Sequence, residues 1–148
     1  MIDERSARNI ATLRSEVQPL AEKLIETALA QGINAKVICG TRTYDEQDEL
    51  YAQGRTKPGK VVTKAKGGQS WHNFGMAFDL GIFSEDGKKY YGESEAYQVC
   101  GKIGESLGLQ WGGSWKGFVD EPHYQFNPKG LTLAQVRERT EKGEDLFT

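Results

Sequence analysis

Histidine and cysteine are scarce in this chain. There are two of each in 148 residues: His72 and His123, Cys39 and Cys100. Two cysteines cannot build a disulfide framework, and the Cys-x-x-Cys spacing of a structural zinc site is absent. They read as two buried free thiols acting as small apolar side chains, with a single Cys39–Cys100 bridge as the alternative. No stretch approaches the ~18 apolar residues of a membrane span. The N-terminal MIDERSARNIATLRSEV mixes both charges and lacks the apolar centre of a signal peptide, so synthesis in the cytoplasm without a secretion signal is expected. Neither sign of charge dominates: 19 basic and 21 acidic residues give a net charge of -2. That balance argues against a protein held mainly by nucleic-acid phosphates. No Walker or dinucleotide pattern surrounds Gly67-Gly68, and no His-Glu-x-x-His helix is present.

What is present is a globular composition, 37% hydrophobic and 27% charged, with 18 glycines. A chain this long fits one domain, residues 1–148, and can bury roughly 68–70% of its unfolded surface without metal or disulfide staples. Ile10, Leu13, Val17, Leu20, Leu24, Ala28 and Leu29 recur at three- and four-residue steps, which predicts one amphipathic helix stopped at Gly32 and Asn34. A short buried strand over Ala35–Cys39 follows, then a helix from Tyr44 to Gln53. Residues 54–70 read as a long basic loop, with a short β-piece at Val61-Val62. Long loops inside small domains are usually functional or mobile. Met76–Ile82 reads as a strand, Ser94–Leu107 as a helix and His123–Phe126 as a strand. A last helix, N-capped by Thr132, runs to Lys142, with a frayed tail. The order predicts an α+β domain.

Both histidines lie in segments that also hold acids: Ser70-Trp-His72-Asn-Phe-Gly75-Met-Ala-Phe-Asp79 and Asp120-Glu-Pro-His123. Two histidines and one carboxylate make a catalytic zinc set that leaves a position for water. Gly75 lets the chain fold back so that His72 and Asp79 can reach one ion. A lone histidine is more often structural than a ligand, and spacing alone leaves both readings open. Trp71, Trp111 and Trp115 can line a groove or simply pack. Lys57, Lys60, Lys64 and Lys66 can meet an anionic substrate or form a solvated loop, and Arg55 reads as an anchor of that loop.

Ser70-x-His72-x6-Asp79 followed by Asp120-x-x-His123 resembles the D-alanyl-D-alanine carboxypeptidase (VanY-type) zinc peptidases. These share a fold with lysostaphin and the hedgehog N-terminal domain. The resemblance is strongest to phage endolysins and bacterial wall enzymes that act as L-alanyl-D-glutamate peptidases. It is carried by Arg42-Thr-Tyr-Asp-Glu-Gln47 through Arg55-Thr-Lys-Pro-Gly, by Gly67-Gly-Gln-Ser70-Trp-His72-Asn-Phe-Gly75, and by Trp111-Gly-Gly-Ser-Trp115 with Asp120-Glu-Pro-His123. It covers about residues 35–126.

The resemblance implies a small, mainly antiparallel sheet flanked by helices and one Zn2+ ion held by His72, Asp79 and His123. Asp120 matches the general base and Arg42 the group that stabilises the oxyanion. Ser70 and Gln47 match positions near the substrate, with Trp115 as a further contact. A zinc-activated water would attack the L-Ala–D-Glu carbonyl of peptidoglycan stem peptides. The implied protein waits in the cytoplasm, reaches the wall with a holin, and has no separate wall-binding domain. A D-Ala-D-Ala carboxypeptidase or dipeptidase with the same site, and a non-catalytic zinc-binding module, are the alternatives. Glu121 rivals Asp120, because in a regular strand it would share a face with His123. Pro122 makes a regular strand doubtful, and the family pattern favours Asp120.

With no spare histidine, losing either one costs the metal. His72→Ala and His123→Ala should each take the protein from about one zinc per chain to near none by elemental analysis. Metal retained in either variant removes that histidine from the ligand set.

Overall fold

The computed structural model describes residues 2–147. Helix α1 spans Glu4–Ala11 and α2 spans Gln18–Ala30. Strand β1 (Asn34–Cys39) and helix α3 (Tyr44–Ala52) follow, then β2 (Ala77–Phe83), β3 (Tyr90–Tyr91), α4 (Ala96–Ser106), β4 (Gln110–Trp111), β5 (His123–Gln125) and α5 (Leu133–Glu141). The strands form one antiparallel sheet in the order β1-β2-β5-β4, and β3 pairs with the far end of β2. This is the α+β architecture expected, a small antiparallel sheet flanked by helices.

The single N-terminal helix divides into two. Asp3 caps α1 by accepting from the Ser6 amide at 3.0 Å. The chain then turns, and Pro19 sits in the first turn of α2, where its missing N–H costs nothing. The hydrophobic period survives the break because Leu13 and Val17 are buried in the turn itself. The break also frees Arg14, whose amide donates to the Gly75 carbonyl at 3.0 Å and whose Nε donates to the Phe74 carbonyl at 2.6 Å.

Alternation along β2 divides its side chains between two faces. Phe78, Leu80 and Ile82 join Val37, Ala35 and the apolar sides of α1, α2 and α4 in the main core. Asp79 points to the opposite face. Register places Asp79 beside Cys39 on β1 and beside His123 on β5. On α4, Gly101 and Gly104 admit the rings of Trp111 and Tyr124. A Cβ at either glycine would come within 2.3 Å and 2.7 Å of those rings.

Three further expectations are corrected. Val61-Val62 forms no strand, and both side chains are more than half exposed. The two-residue strands β3 and β4 were not anticipated, since such short runs carry no periodicity. The C-terminal tail is docked. Leu146 is 1% exposed and packs with Phe74, Met76 and Val136 in a second apolar cluster, while the Phe147 ring lies 5.3 Å from that of Phe126. Leu146→Ala should therefore destabilise the protein by about 2–3 kcal/mol in urea unfolding. A change within a few tenths would restore the frayed tail.

Candidate metal centre

His72 lies in a 3-10 turn, Trp71–Phe74, capped by Ser70, whose Oγ accepts from the His72 amide at 3.2 Å. Asn73 Oδ1 accepts in return from the Ser70 amide at 3.1 Å. Gly75 follows at φ 73°, a left-handed conformation that glycine adopts without strain. The chain thereby reverses into β2, two residues before Ala77. The cluster around Phe74, Val136 and Leu146 supports this turn from below.

Three donors converge here. His72 Nε2 lies 3.2 Å from Asp79 Oδ1, and His123 Nδ1 lies 3.5 Å from the same oxygen. The two rings are buried, with centroids 5.2 Å apart. The Nδ1–H of His72 donates to the Gly40 carbonyl at 3.0 Å, which leaves the Nε2 lone pair facing inward. Two imidazole nitrogens, each ring holding an outer partner at Gly40 or Gln125, and one carboxylate oxygen fit a divalent ion of the zinc type. When bound, such an ion lowers the pKa of a water molecule and polarises a carbonyl.

Cys39 adjoins this set, and sequence reasoning did not place it here. Its sulfur, His72 and Asp79 offer donor atoms within 4.8 Å of one another. The sulfur, however, lies 3.8 Å from His72 Nδ1, the nitrogen already committed to Gly40. Cys39 thus lies against the His72 ring and within reach of Asp79. Both cysteines are free thiols, and Cys100 is buried. Burial pushes the Cys100 thiol up to about 11.

Without an ion the centre is an ion pair. Burial pushes the Asp79 carboxyl up, but hydrogen bonds from His123 and His72 and their charge outweigh it and hold the group well below the usual carboxylate range. Burial likewise disfavours the charged form of His72, but Asp79 and Cys39 raise it to about 10.

Arg42 stands at the rim, its Nη2 3.6 Å from Asp79 Oδ2. Its amide donates to the His72 carbonyl at 2.9 Å, and its Nη1 donates to Gln47 Oε1 at 3.2 Å. Gln47 is wholly buried, and its Nε2 donates to the Ala65 carbonyl at 2.9 Å. It therefore acts on the site through Arg42 and by pinning the long loop. Arg55 also pins that loop, donating to the Tyr51 carbonyl at 2.6 Å and the Thr63 carbonyl at 3.1 Å.

Asp120 is half-buried and raised above its ordinary value. Burial is the main cause. His123, His72 and Arg42 pull it down, and Asp79 pushes it up. Its loop is clasped at Gly112, whose carbonyl accepts from the Asp120 amide at 2.9 Å. A Cβ at Gly112 would come within 2.2 Å of the Asp120 carbonyl oxygen. Glu121 is engaged elsewhere: its carboxylate accepts from Gln98 on α4, and its carbonyl accepts from Trp111 Nε1 at 2.7 Å. Of the three tryptophans, Trp115 faces the centre, its ring 5.0 Å from that of His123, whereas Trp111 is buried in the core and Trp71 packs on the second cluster.

The pairing makes the stability of the metal-free protein depend on pH. The raised His72 contributes stability that is full below its ordinary value near 6.5 and lost as pH rises through about 10. The lowered Asp79 contributes stability present above its ordinary value and lost as pH falls. Urea midpoints of chelator-stripped protein should fall between pH 6.5 and pH 10, and His72→Ala should flatten that decline. A midpoint constant across this range would show that the pair is not charged.

Comparison with known proteins follows the same lines. The family described as D-alanyl-D-alanine carboxypeptidase matches residues 63–126, the span that holds His72, Asp79, Asp120 and His123. The peptidoglycan L-alanyl-D-glutamate endopeptidase CwlK of Bacillus subtilis (strain 168) is 39% identical over 127 residues, 77% of this chain and 75% of that protein. The L-alanyl-D-glutamate peptidase of Listeria phage A118 is 30% identical over 137 residues, 85% of this chain and 42% of that longer protein. The solved L-Ala D-Glu endopeptidase ChiX of Serratia marcescens shares the fold with a TM-score of 0.61 at 21% identity, over 90% of this chain and 91% of that one. The vancomycin-resistance D,D-pentapeptidase VanY, solved with Zn(II), shares it at 0.58 and 20% identity, over 90% and 81%. By these likenesses the chain belongs to the D-alanyl-D-alanine carboxypeptidase family of metallopeptidases.

Proposed function

We propose that this chain is a zinc-dependent peptidase that cleaves the L-alanyl-D-glutamate bond of peptidoglycan stem peptides, with one ion held by His72, Asp79 and His123. The observation that carries the reading is the placement of Asp79 Oδ1 between two buried imidazoles, with a half-buried carboxyl and a guanidinium beside them. The substrate follows from the two sequence relatives, both named for that bond.

The chain's own residues take distinct roles. Asp120, raised by burial, is suited to accept a proton from the attacking water and deliver it to the leaving amine. Arg42 places positive charge where negative charge builds up on the carbonyl oxygen, and Gln47 holds the guanidinium in that position. Trp115 walls the site beside His123. Ser70 shapes the turn that carries His72, and its match to a family position near the substrate makes it a further contact in this reading. A module that only bound zinc would need neither Asp120 nor Arg42. We read the described residues as one catalytic domain. Among them no helix is long and apolar enough to cross a membrane. Holin-dependent release from the cytoplasm belongs to this reading, supported by the phage relative.

Muropeptide digestion with mass analysis tests the reading. The expected products are stem peptides cut between L-Ala and D-Glu. Release of free D-Ala with that bond intact would instead assign the D-Ala-D-Ala carboxypeptidase activity. Asp120→Ala should keep about one zinc per chain and lower the rate at least ~10²-fold. An unchanged rate would remove Asp120 from the base role.

A further inference from the structure

His123 does not stand alone on its strand. Two residues along β5, on the same face, lies Gln125, which is 4% exposed. Its Oε1 lies 2.7 Å from His123 Nε2, and its Nε2 donates to Gln110 Oε1 at 3.0 Å. Gln110 sits directly opposite Gln125 in the β4–β5 register, and Ala77 lies opposite it on β2. The small side chain of Ala77 leaves the amide room between the two neighbouring strands. A row of side chains thus crosses one face of the sheet, from the exposed Gln110 through the buried Gln125 and His123 to Asp79.

We propose that Gln125, clamped by Gln110, is the positioning residue that sets which nitrogen of His123 faces the metal centre. A neutral imidazole carries one N–H and one lone pair. The Gln125 carbonyl oxygen only accepts, so when His123 is neutral, as a metal ligand must be, the proton belongs on Nε2 and the lone pair on Nδ1, the nitrogen 3.5 Å from Asp79 Oδ1. An amide can turn over and exchange its donor and acceptor ends. Gln110 opposes this by accepting from the NH2 end, so that turning would set two oxygens against each other unless Gln110 turned as well. The other histidine is oriented by different means, a backbone carbonyl at Gly40, which no side-chain substitution removes. The orientation of His123, by contrast, is open to mutation at Gln125. Outer partners of this type typically contribute ~10–100-fold in metal affinity.

The inference rests on the metal reading above, and zinc affinity separates the two. Competition with a chromophoric chelator measures zinc binding to the wild type first; absence of binding there overturns the metal reading itself. Gln125→Met keeps the length and packing of the side chain but removes the acceptor, and should weaken zinc ~10–100-fold. Gln125→Glu restores an acceptor for Nε2–H, with the Gln110 amide turned to donate to it, and should bind at least as tightly as wild type. A residue that merely filled space would give the reverse order, since methionine suits a buried apolar position and a glutamate does not. The cobalt-substituted protein supplies a second readout: the visible ligand-field bands of Gln125→Met should shift, and those of Gln125→Glu should return to the wild-type pattern. Gln110→Leu lies at an exposed position and tests the clamp even if Gln125→Met fails to fold. It should weaken zinc by a few-fold. Wild-type affinity in Gln125→Met overturns the proposal, and wild-type affinity in Gln110→Leu overturns the clamp.

Discussion

The contact of one carboxylate oxygen with two buried imidazoles is the constraint on which this structure depends. Asp79 reaches both because β2 pairs with β5, which carries His123, while the reversal at Gly75 folds the turn that carries His72 back beside β2. A slip of one residue in that pairing would send Asp79 or His123 to the opposite face, into the apolar core of Phe78, Leu80 and Tyr124. The hydrophobic alternation that buries those residues is therefore also what keeps the polar centre on the other face. Stacking of Phe78 on Tyr124, with centroids 5.5 Å apart and planes 10° from parallel, holds β2 and β5 in register one residue from the centre.

A buried charge is tolerated only when it is paired and hydrogen-bonded, and the surroundings meet that demand with rigid parts. Arg14, released by the break between α1 and α2, ties down the carbonyls of Phe74 and Gly75. The C-terminal Leu146 and the helix residue Val136 support the same turn from below. On the opposite side Gly112 clasps the loop that carries Asp120, and Gln47 steadies Arg42 from a wholly buried position. Segments distant in sequence thus converge on a site that touches few of them directly.

The motifs were legible because their chemistry is concentrated. Scarce histidines beside acids and glycines drew notice to Ser70–Asp79 and Asp120–His123, and the resemblance ordered them. Elements with a long period were legible too: α3, α4 and α5 lie within a few residues of their expected bounds. The N-terminal helix was misread because Leu13 and Val17 keep the helical spacing while being buried by a turn. The tail looked frayed because nothing local in Glu-Asp-Leu-Phe shows that Leu146 finds a pocket between α5 and the metal turn. Gln47 matched a family position near the substrate, and its burial and its bond from Arg42 became visible only in the structure. The places of Cys39 and Gln125 beside the centre carry no local signal, because each depends on the strand next to it.

Sequence alone pointed to the family, to two histidines and an aspartate as candidate ligands, and to the spacing that brings His72 and Asp79 onto one side of a glycine reversal. Those are properties of short stretches, where residue identity dictates local geometry. Tertiary structure separates Asp120 from Glu121, which adjacent positions could not: the Glu121 carboxylate is taken by Gln98, while the half-buried Asp120 feels the charges of His123, His72 and Arg42. It also decided which nitrogen of each imidazole turns inward, because that depends on a carbonyl at Gly40 and an amide at Gln125. Such choices are made by hydrogen bonds across strands and loops, and the residues that make them come together only when the sheet is assembled.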